Sequence, residues 1–258
     1  MNVNGIRAAY KRGMAEWLAD REVDILCLQE VRAPDAIVRE LLGESWQIVH
    51  AEAAAKGRAG VAIASRLEQI DVRGHIGDEY FLTSGRWIEA DFRVNGSLLT
   101  VVSAYVHSGE VDTPRQEDKY RFLEVMTSRL PQLQENADHV LVVGDLNVGH
   151  TTRDIKNWKG NIKKAGFLPE ERAYFDRFFG DEIGYVDVHR ALAGDVDGPY
   201  TWWSWRGQAF DNDTGWRIDY HMATPGLASA AVSATVDRAA SWDTRFSDHA
   251  PLVVDYSI

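Results

Sequence analysis

Asp145 and Asn147 stand two positions apart in Gly144-Asp145-Leu146-Asn147, directly after the apolar run Val140-Leu141-Val142-Val143. A run of that composition predicts a strand covered on both faces. Gly144 permits close backbone approach, and a period of two sends Asp145 and Asn147 to the same side. A carboxylate and an amide so placed can accept a proton, hold a metal-bound water and orient a phosphate. A strand entering an Asx-rich turn explains this motif equally well, so other segments must decide.

Similar polar residues recur at predicted strand ends. Asn2 and Asn4 lie at the start, Glu30 just after the second strand and Tyr105 at the end of another. Asp219 sits in Trp216-Arg217-Ile218-Asp219-Tyr220, and Ser247-Asp248-His249 precedes the last strand. Among 39 acidic residues any one of these is ordinarily a solvated loop charge. A set spaced this way is what a site on one rim of a sandwich requires. Clustered carboxylates repel unless a hard cation neutralises them. Oxygen donors without a Cys/His cluster favour Mg²⁺ or Mn²⁺ over Zn²⁺.

The elements that must position these groups are legible in part. Tyr10, Met14, Trp17 and Leu18 have helical spacing. Strands are expected over 24–28, 46–51 and 60–64, with a helix over 35–42. Arg86 to Val94 alternates, with Ile88, Ala90, Phe92 and Val94 on one face and charges on the other. Asn95-Gly96 turns that strand into the next, Leu98 to Val106. Thr113-Pro114-Arg115-Gln116 has the form of a capping box with proline at the first helical position. The helix it opens turns Phe122, Leu123, Met126, Leu130 and Leu133 inward. Pro169-Glu170-Glu171 starts another helix, its acids suited to the N-terminal dipole. Strands over 216–222 and 251–256 complete two packed sheets flanked by helices.

The 258 residues, 45% of them apolar, suffice for one large domain, and no linker or repeat divides them. A single catalytic domain over 1–258 is expected. No run approaches a membrane span and no signal-peptide core is present. The single Cys27 lies in an apolar run, so no intrachain disulfide forms and a cytoplasmic setting is expected.

A net charge of -11 argues against general adhesion to nucleic acid. Residues 151–164 depart from it: Arg153, Lys156, Lys159, Lys163 and Lys164 face Asp154 alone. Following the Gly-Asp-Leu-Asn motif directly, this segment reads as a phosphate-contacting loop rather than a merely solvated one. Tyr200-Thr201-Trp202-Trp203-Ser204-Trp205 and Trp216 concentrate aromatic rings, for which core packing is the default role.

Across essentially the whole chain the sequence resembles the exonuclease III family of apurinic/apyrimidinic (AP) endonucleases, within the endonuclease/exonuclease/phosphatase superfamily. The marks are Asn2-Val3-Asn4-Gly5-Ile6-Arg7-Ala8, Leu28-Gln29-Glu30, the Gly-Asp-Leu-Asn motif, Gly166-Phe167-Leu168-Pro169-Glu170-Glu171-Arg172, Gly215-Trp216-Arg217-Ile218-Asp219-Tyr220 and Ser247-Asp248-His249. Leu28-Gln29-Glu30, Gly-Asp-Leu-Asn and Ser-Asp-His are shared across the superfamily. The blocks beginning at Gly166 and Gly215 are closer to its DNA-repair branch.

The resemblance implies a four-layer, deoxyribonuclease I-like α/β-sandwich and a Mg²⁺-dependent phosphodiesterase. It implies incision 5′ to abasic sites in double-stranded DNA, with 3′→5′ exonuclease and 3′-phosphatase activities, by a monomer. Glu30 would be the main metal carboxylate, with Asp248 and Asn4 near the same ion. Asp145 would be the acid/base, supported by Asn2, and Asn147 would orient the attacking water. Asp219 would pair with His249, a donor to a phosphate oxygen, and Tyr105 would stabilise the phosphoryl group. Trp202 and Trp216 would wall a pocket for the extruded abasic sugar, and Lys156, Lys159, Lys163 and Lys164 would touch phosphates. The alternatives are a relative acting on RNA or a small phosphoester, and a silent DNA-binding relative.

Two departures stand out. The family usually has an apolar strand before the Asn-x-Asn motif, whereas Met1 precedes Asn2 directly. Either the start lies upstream or the first strand is truncated, leaving Asn2 poorly anchored. His107-Ser108 also replaces the usual Pro and amide after the tyrosine. For His107, His150, His189 and His221 structural roles are expected.

Overall fold

The computed structural model describes residues 1–258. In chain order the strands are β1 (Ile25–Leu28), β2 (Gln47–Ala51), β3 (Val61–Ser65), β4 (Asp71–Arg73), β5 (Trp87–Val94), β6 (Ser97–Tyr105), β7 (His139–Asp145), β8 (Val186–Asp187), β9 (Asp219–Ala223), β10 (Ala231–Val236) and β11 (Leu252–Tyr256). The helices are α1 (Ile6–Ala9), running through a π turn at Tyr10–Met14 into α2 (Ala15–Asp20), then α3 (Asp35–Leu42), α4 (Pro114–Asn136), α5 (Pro169–Phe179), α6 (Val188–Ala193) and α7 (Pro225–Ser229).

β7 shows how the layers arise. Leu141 and Val143 face a core between two sheets, while Val140 and Val142 face a different core under α4 and α5. Strand alternation therefore feeds two apolar interiors from one continuous apolar run. A third core joins Leu26, Leu28, Ala62 and Ala64 to Ile6, Met14, Leu18, Val38 and Leu42 on α1 to α3. Helices, sheet, sheet and helices make the expected four layers.

One sheet has the order β4-β5-β6-β7-β9-β8. Its pairs are antiparallel except β6 and β7, which are parallel and need the α4 crossover. The opposite layer is divided into β1-β3-β2 and a separate β10-β11 pair. Between them lies a cavity of about 870 Å³, lined largely by apolar residues.

Several expectations change. Thr113 is the α4 N-cap and Pro114 its first residue, but no capping box forms. The Thr113 hydroxyl turns back to the Glu110 carbonyl (2.8 Å), and Gln116 donates to Glu171 on another helix (2.9 Å). A tertiary partner thus outcompetes the local cap. The charged face of β5 is covered rather than solvated: Glu89 is fully buried under Arg73 and Arg129. The strand expected over 216–222 begins only at Asp219, because Trp216 forms isolated bridges to Ile155 and Trp202. β4, β8, β10, α6 and α7 are short elements that the sequence pattern does not reveal.

Candidate active site

Strand register builds the floor of the site. Tyr105 on β6 lies opposite Asp145 on β7, which lies opposite Asp219 on β9. Gly144 is what lets this row close: a Cβ there would sit 1.9 Å from the Ala104 carbonyl oxygen. Asn147 reaches the row by a different route than its strand spacing suggests. β7 ends at Asp145, and Asn147 has φ 52°, so a left-handed turn brings it back. Its backbone N–H donates to one Asp145 oxygen (3.0 Å) and its amide to the other (3.2 Å).

Asn2 is completely buried and firmly held, against the expectation of poor anchoring. Its amide donates to Glu30 (3.0 Å) and Asp145 (2.9 Å), while its carbonyl accepts from Ser247 (2.9 Å). Residues 1–3 extend along β1 as a short parallel ladder, which supplies that anchorage. Tyr105 also donates to Glu30 (2.6 Å). Burial, with the charges of Glu30 and Asp145, keeps this phenol protonated and a donor.

Glu30, Asn4 and Asp248 are half-buried at the mouth of the row. Asn4 donates to Asp248 (2.9 Å), and Arg32 bridges the Asn4 oxygen (2.6 Å) and the free Glu30 oxygen. A guanidinium therefore stands where two of the anticipated ligand oxygens converge. Oxygen donors reachable from solvent and gathered on a cation suit a hydrated hard ion. Asp145, Asp219 and His249 form a second, buried cluster whose ligand atoms lie within 4.8 Å of one another, and it too could hold a metal.

His249 lies between two carboxylates. Nδ1 is 2.8 Å from Asp219, and Nε2 is 3.6 Å from Asp145. Burial disfavours the imidazolium, but Asp219 and Asp145 outweigh it and raise its pKa to about 10. Burial drives Asp145 upward to about 7, with the Asp219 charge adding to it and His249 and Asn2 opposing. Against its own burial, Asp219 is held low by His249 and by the Thr201 hydroxyl at 2.6 Å. The arrangement offers a cationic donor, a neutral phenol donor and a carboxyl able to exchange a proton near neutrality.

Trp202 and Trp216 stand beside this row, half-buried, edge to face, with ring centroids 6.1 Å apart. Trp202 donates to Asp248 (3.1 Å), while its neighbours Tyr200 and Trp203 belong to a separate apolar core. Gly166 has φ +92°, and a Cβ there would meet the Trp216 ring at 2.9 Å, which ties the Gly166 and Gly215 blocks together. The basic loop adjoins Trp216 through Lys156 N–H and the Gly215 carbonyl (3.1 Å). Lys156, Lys159, Lys163 and Lys164 are exposed, and the loop's ion pairs run instead from Arg153 and Asp154. The four histidines expected to be structural make no side-chain hydrogen bond to the row. His107, for example, packs between Phe81 and Phe122, and burial lowers it to about 3.

Sequence reasoning misses the groups that brace the site. Local spacing offers no cue to them, because each pairs across the fold. Arg217 is buried between Asp154 (2.7 Å) and Asp187 (2.7 Å). Lys119 on α4 is buried against Glu171 (2.8 Å) and donates to the Asn147 carbonyl (2.8 Å). Arg32, two residues after Glu30, is the one such group that local spacing could have found.

Comparison with known proteins agrees with this geometry. The sequence profile described as the Endonuclease/Exonuclease/phosphatase family matches residues 1–249. The chain is 35% identical to an exodeoxyribonuclease of Bacillus subtilis (strain 168), covering 97% of this chain and 95% of that protein. It is 33% identical to the DNA repair nuclease APEX1 of Danio rerio, over 98% of this chain and 79% of that one. An AP endonuclease structure from Archaeoglobus fulgidus superposes with TM-score 0.84 at 29% identity, covering 100% of this chain and 97% of that one. A variant of the 3′ phosphatase NExo from Neisseria, bound to a product DNA hairpin, gives TM-score 0.84 at 26% identity, covering 100% and 97%. With its whole length matched and its polar rim assembled from every superfamily motif, the chain belongs to the endonuclease/exonuclease/phosphatase family and is a nuclease of its exonuclease III and AP endonuclease branch.

Proposed function

We propose that this chain is a Mg²⁺- or Mn²⁺-dependent DNA-repair phosphodiesterase that cuts duplex DNA 5′ to abasic sites and processes 3′ ends by 3′→5′ exonuclease and 3′-phosphatase action. It works as one catalytic domain over 1–258, as a monomer, in the cytoplasm. The observation that carries the reading is the Tyr105–Asp145–Asp219–His249 row, set in register beside the Trp202 and Trp216 rings.

Glu30, Asp248 and Asn4 would hold the ion, with Arg32 moving off their oxygens. A bound divalent ion would neutralise phosphate charge as a Lewis acid. His249, charged between its carboxylates, donates to a phosphate oxygen, and Tyr105 donates from the opposite side of Asp145. These donors are fixed before substrate arrives, which is the condition for strong transition-state stabilisation. Asp145 exchanges the proton of the attacking water or leaving oxygen, Asn147 orients that water, and Asn2 holds Asp145 in place. Trp202 and Trp216 wall the pocket for an extruded abasic sugar, which has no base to unstack.

The test is hydrolysis by the purified chain of duplexes carrying an abasic analogue, a 3′-phosphate or a recessed end, beside RNA and a small phosphodiester. Cleavage of the DNA substrates that EDTA abolishes and Mg²⁺ or Mn²⁺ restores is expected. Full activity in EDTA, or preference for RNA or the small ester, would overturn the assignment.

A further inference from the structure

The Lys119 side chain, on α4, has no exposure. Its ammonium has three hydrogens and meets three acceptors: Glu171 Oε1 (2.8 Å), the Asn147 carbonyl (2.8 Å) and the Ser108 carbonyl (3.2 Å). These stand on three separate segments. Ser108 follows Tyr105 by three positions, Asn147 follows Asp145 by two, and Glu171 lies in the first turn of α5. The Glu171 carboxylate is just as fully engaged. Oε1 also accepts from Gln116 (2.9 Å), and Oε2 accepts from the Gly166 (2.7 Å) and Leu168 (3.0 Å) N–H groups. Gly166 is the residue that packs beside the Trp216 ring.

A buried ion pair is a poor source of stability, because well-packed apolar side chains of similar volume often serve as well. What they cannot supply is a donor to the Asn147 carbonyl. Asn147 has φ 52°, a left-handed conformation that a residue with a side chain keeps only where its surroundings fix it. Its N–H is held by Asp145 (3.0 Å), and its amide hydrogens go to Asp145 (3.2 Å) and the Val106 carbonyl (2.9 Å). Both amide hydrogens are thereby spent, which leaves Oδ1 to accept from water. We propose that Lys119 is a positioning residue for Asn147: its ammonium fixes the left-handed turn through the Asn147 carbonyl and so aims Oδ1 at the attacking water, while Glu171 ties the same turn to the wall of the Trp216 pocket. The inference rests on the assignment of Asn147 to that water. Lys119 acts only through the Asn147 backbone, so its loss slows the chemical step and leaves duplex affinity in place.

Lys119→Met alone leaves the Glu171 charge buried and unpaired, which strongly destabilises the fold. Lys119→Met combined with Glu171→Gln removes both charges and keeps an acceptor for Gly166 and Leu168. The Gln116 oxygen, buried without a partner, can accept from the new amide, so the melting temperature of this double variant should stay near that of the wild type. Hydrogen exchange without substrate reads the turn directly. In the double variant the Asn147 amide should exchange about tenfold faster or more, with Val101 on β6 unchanged. Equal protection of Asn147 in the two proteins would overturn the inference, whatever the chain cuts. The second measurement is single-turnover cleavage of an abasic-analogue duplex. The double variant should cut about ten- to a hundredfold more slowly, the scale of a small misplacement, with duplex affinity within about twofold. In an Asn147→Ala background the same two changes should cost less than about twofold, because residues that act through one another are not additive. Equal losses in both backgrounds would make Lys119 a packing residue. A wild-type rate for Asn147→Ala would take Asn147 out of the reaction and the inference with it. No cleavage of any DNA by the wild type would overturn the proposed function, and exchange at Asn147 would then decide on Lys119.

Discussion

Replacing Lys156, Lys159, Lys163 and Lys164 together by alanine isolates the electrostatic part of DNA binding. All four ammonium groups are exposed, and the neighbouring Arg153 and Asp154 keep their partners in the variant. Each such surface change alters stability by within ~0.5 kcal/mol, so the four together should move the melting temperature by no more than about 8 °C. If each lysine neutralises one phosphate, the slope of log K against log[salt] falls by roughly 0.9 per residue, or about 3.6 in all. Between about 50 and 200 mM salt, the wild-type affinity should then drop roughly 150-fold more than that of the variant. Fluorescence anisotropy on an abasic-analogue duplex in EDTA measures this without cleavage. The loss should be the same for different flanking sequences, because phosphate contacts carry no sequence information. An unchanged slope in a folded variant would return these lysines to the role of a solvated loop.

Asp145→Asn keeps the shape of the side chain but removes its proton exchange, a role worth ~10²–10⁴-fold in rate. Single-turnover cleavage should fall by that much with duplex affinity retained, and a wild-type rate would dismiss Asp145 as the acid/base. Replacing Trp202 and Trp216 by alanine should reduce abasic-site incision far more than hydrolysis of a small phosphodiester. Equal loss of both, with a lowered melting temperature, would make the rings packing groups. Asp154, buried yet held down to about 2 by Arg217, Thr151 and Arg190, contributes stability above the ordinary carboxylate pKa that is lost as pH falls towards 2. That linkage is worth about 2–3 kcal/mol. Acid unfolding should begin at higher pH in Asp154→Asn, and superimposable acid titrations would refute it.

The large sheet and the polar row are legible in the sequence because both rest on local signals. β7 is a continuous apolar run, and β5 and β6 are joined by Asn95-Gly96. Each rim residue follows such an element, so motif and strand end coincide. What local pattern cannot give is pairing across the fold. Gln116 has the spacing of half a capping box and instead serves Glu171, 55 positions away. Glu89 and Asp91 read as a polar strand face, yet Arg73 and Arg129 close over them. Asn147 does lie beside Asp145, but by a left-handed turn rather than by strand period. β8 escapes notice because it is only 2 residues long and depends on β9 for its identity.

These long-range pairs bear on how an acidic chain would approach a phosphodiester. Arg217 and Lys119 lie inside, each matched to carboxylates, so they fix geometry and add little to the external field. Arg217 joins the start of the basic loop, through Asp154, to β8, through Asp187, two positions from Asp219. Lys119 and Glu171 join the Asn147 carbonyl to the Gly166 and Leu168 N–H groups. The loop that carries the exposed lysines is therefore tied at both ends to residues next to the polar row, Arg217 at one end and Asn147 at the other. A net charge of -11 would repel DNA broadly, and the proposed phosphate contacts of this one basic edge would admit it beside the row.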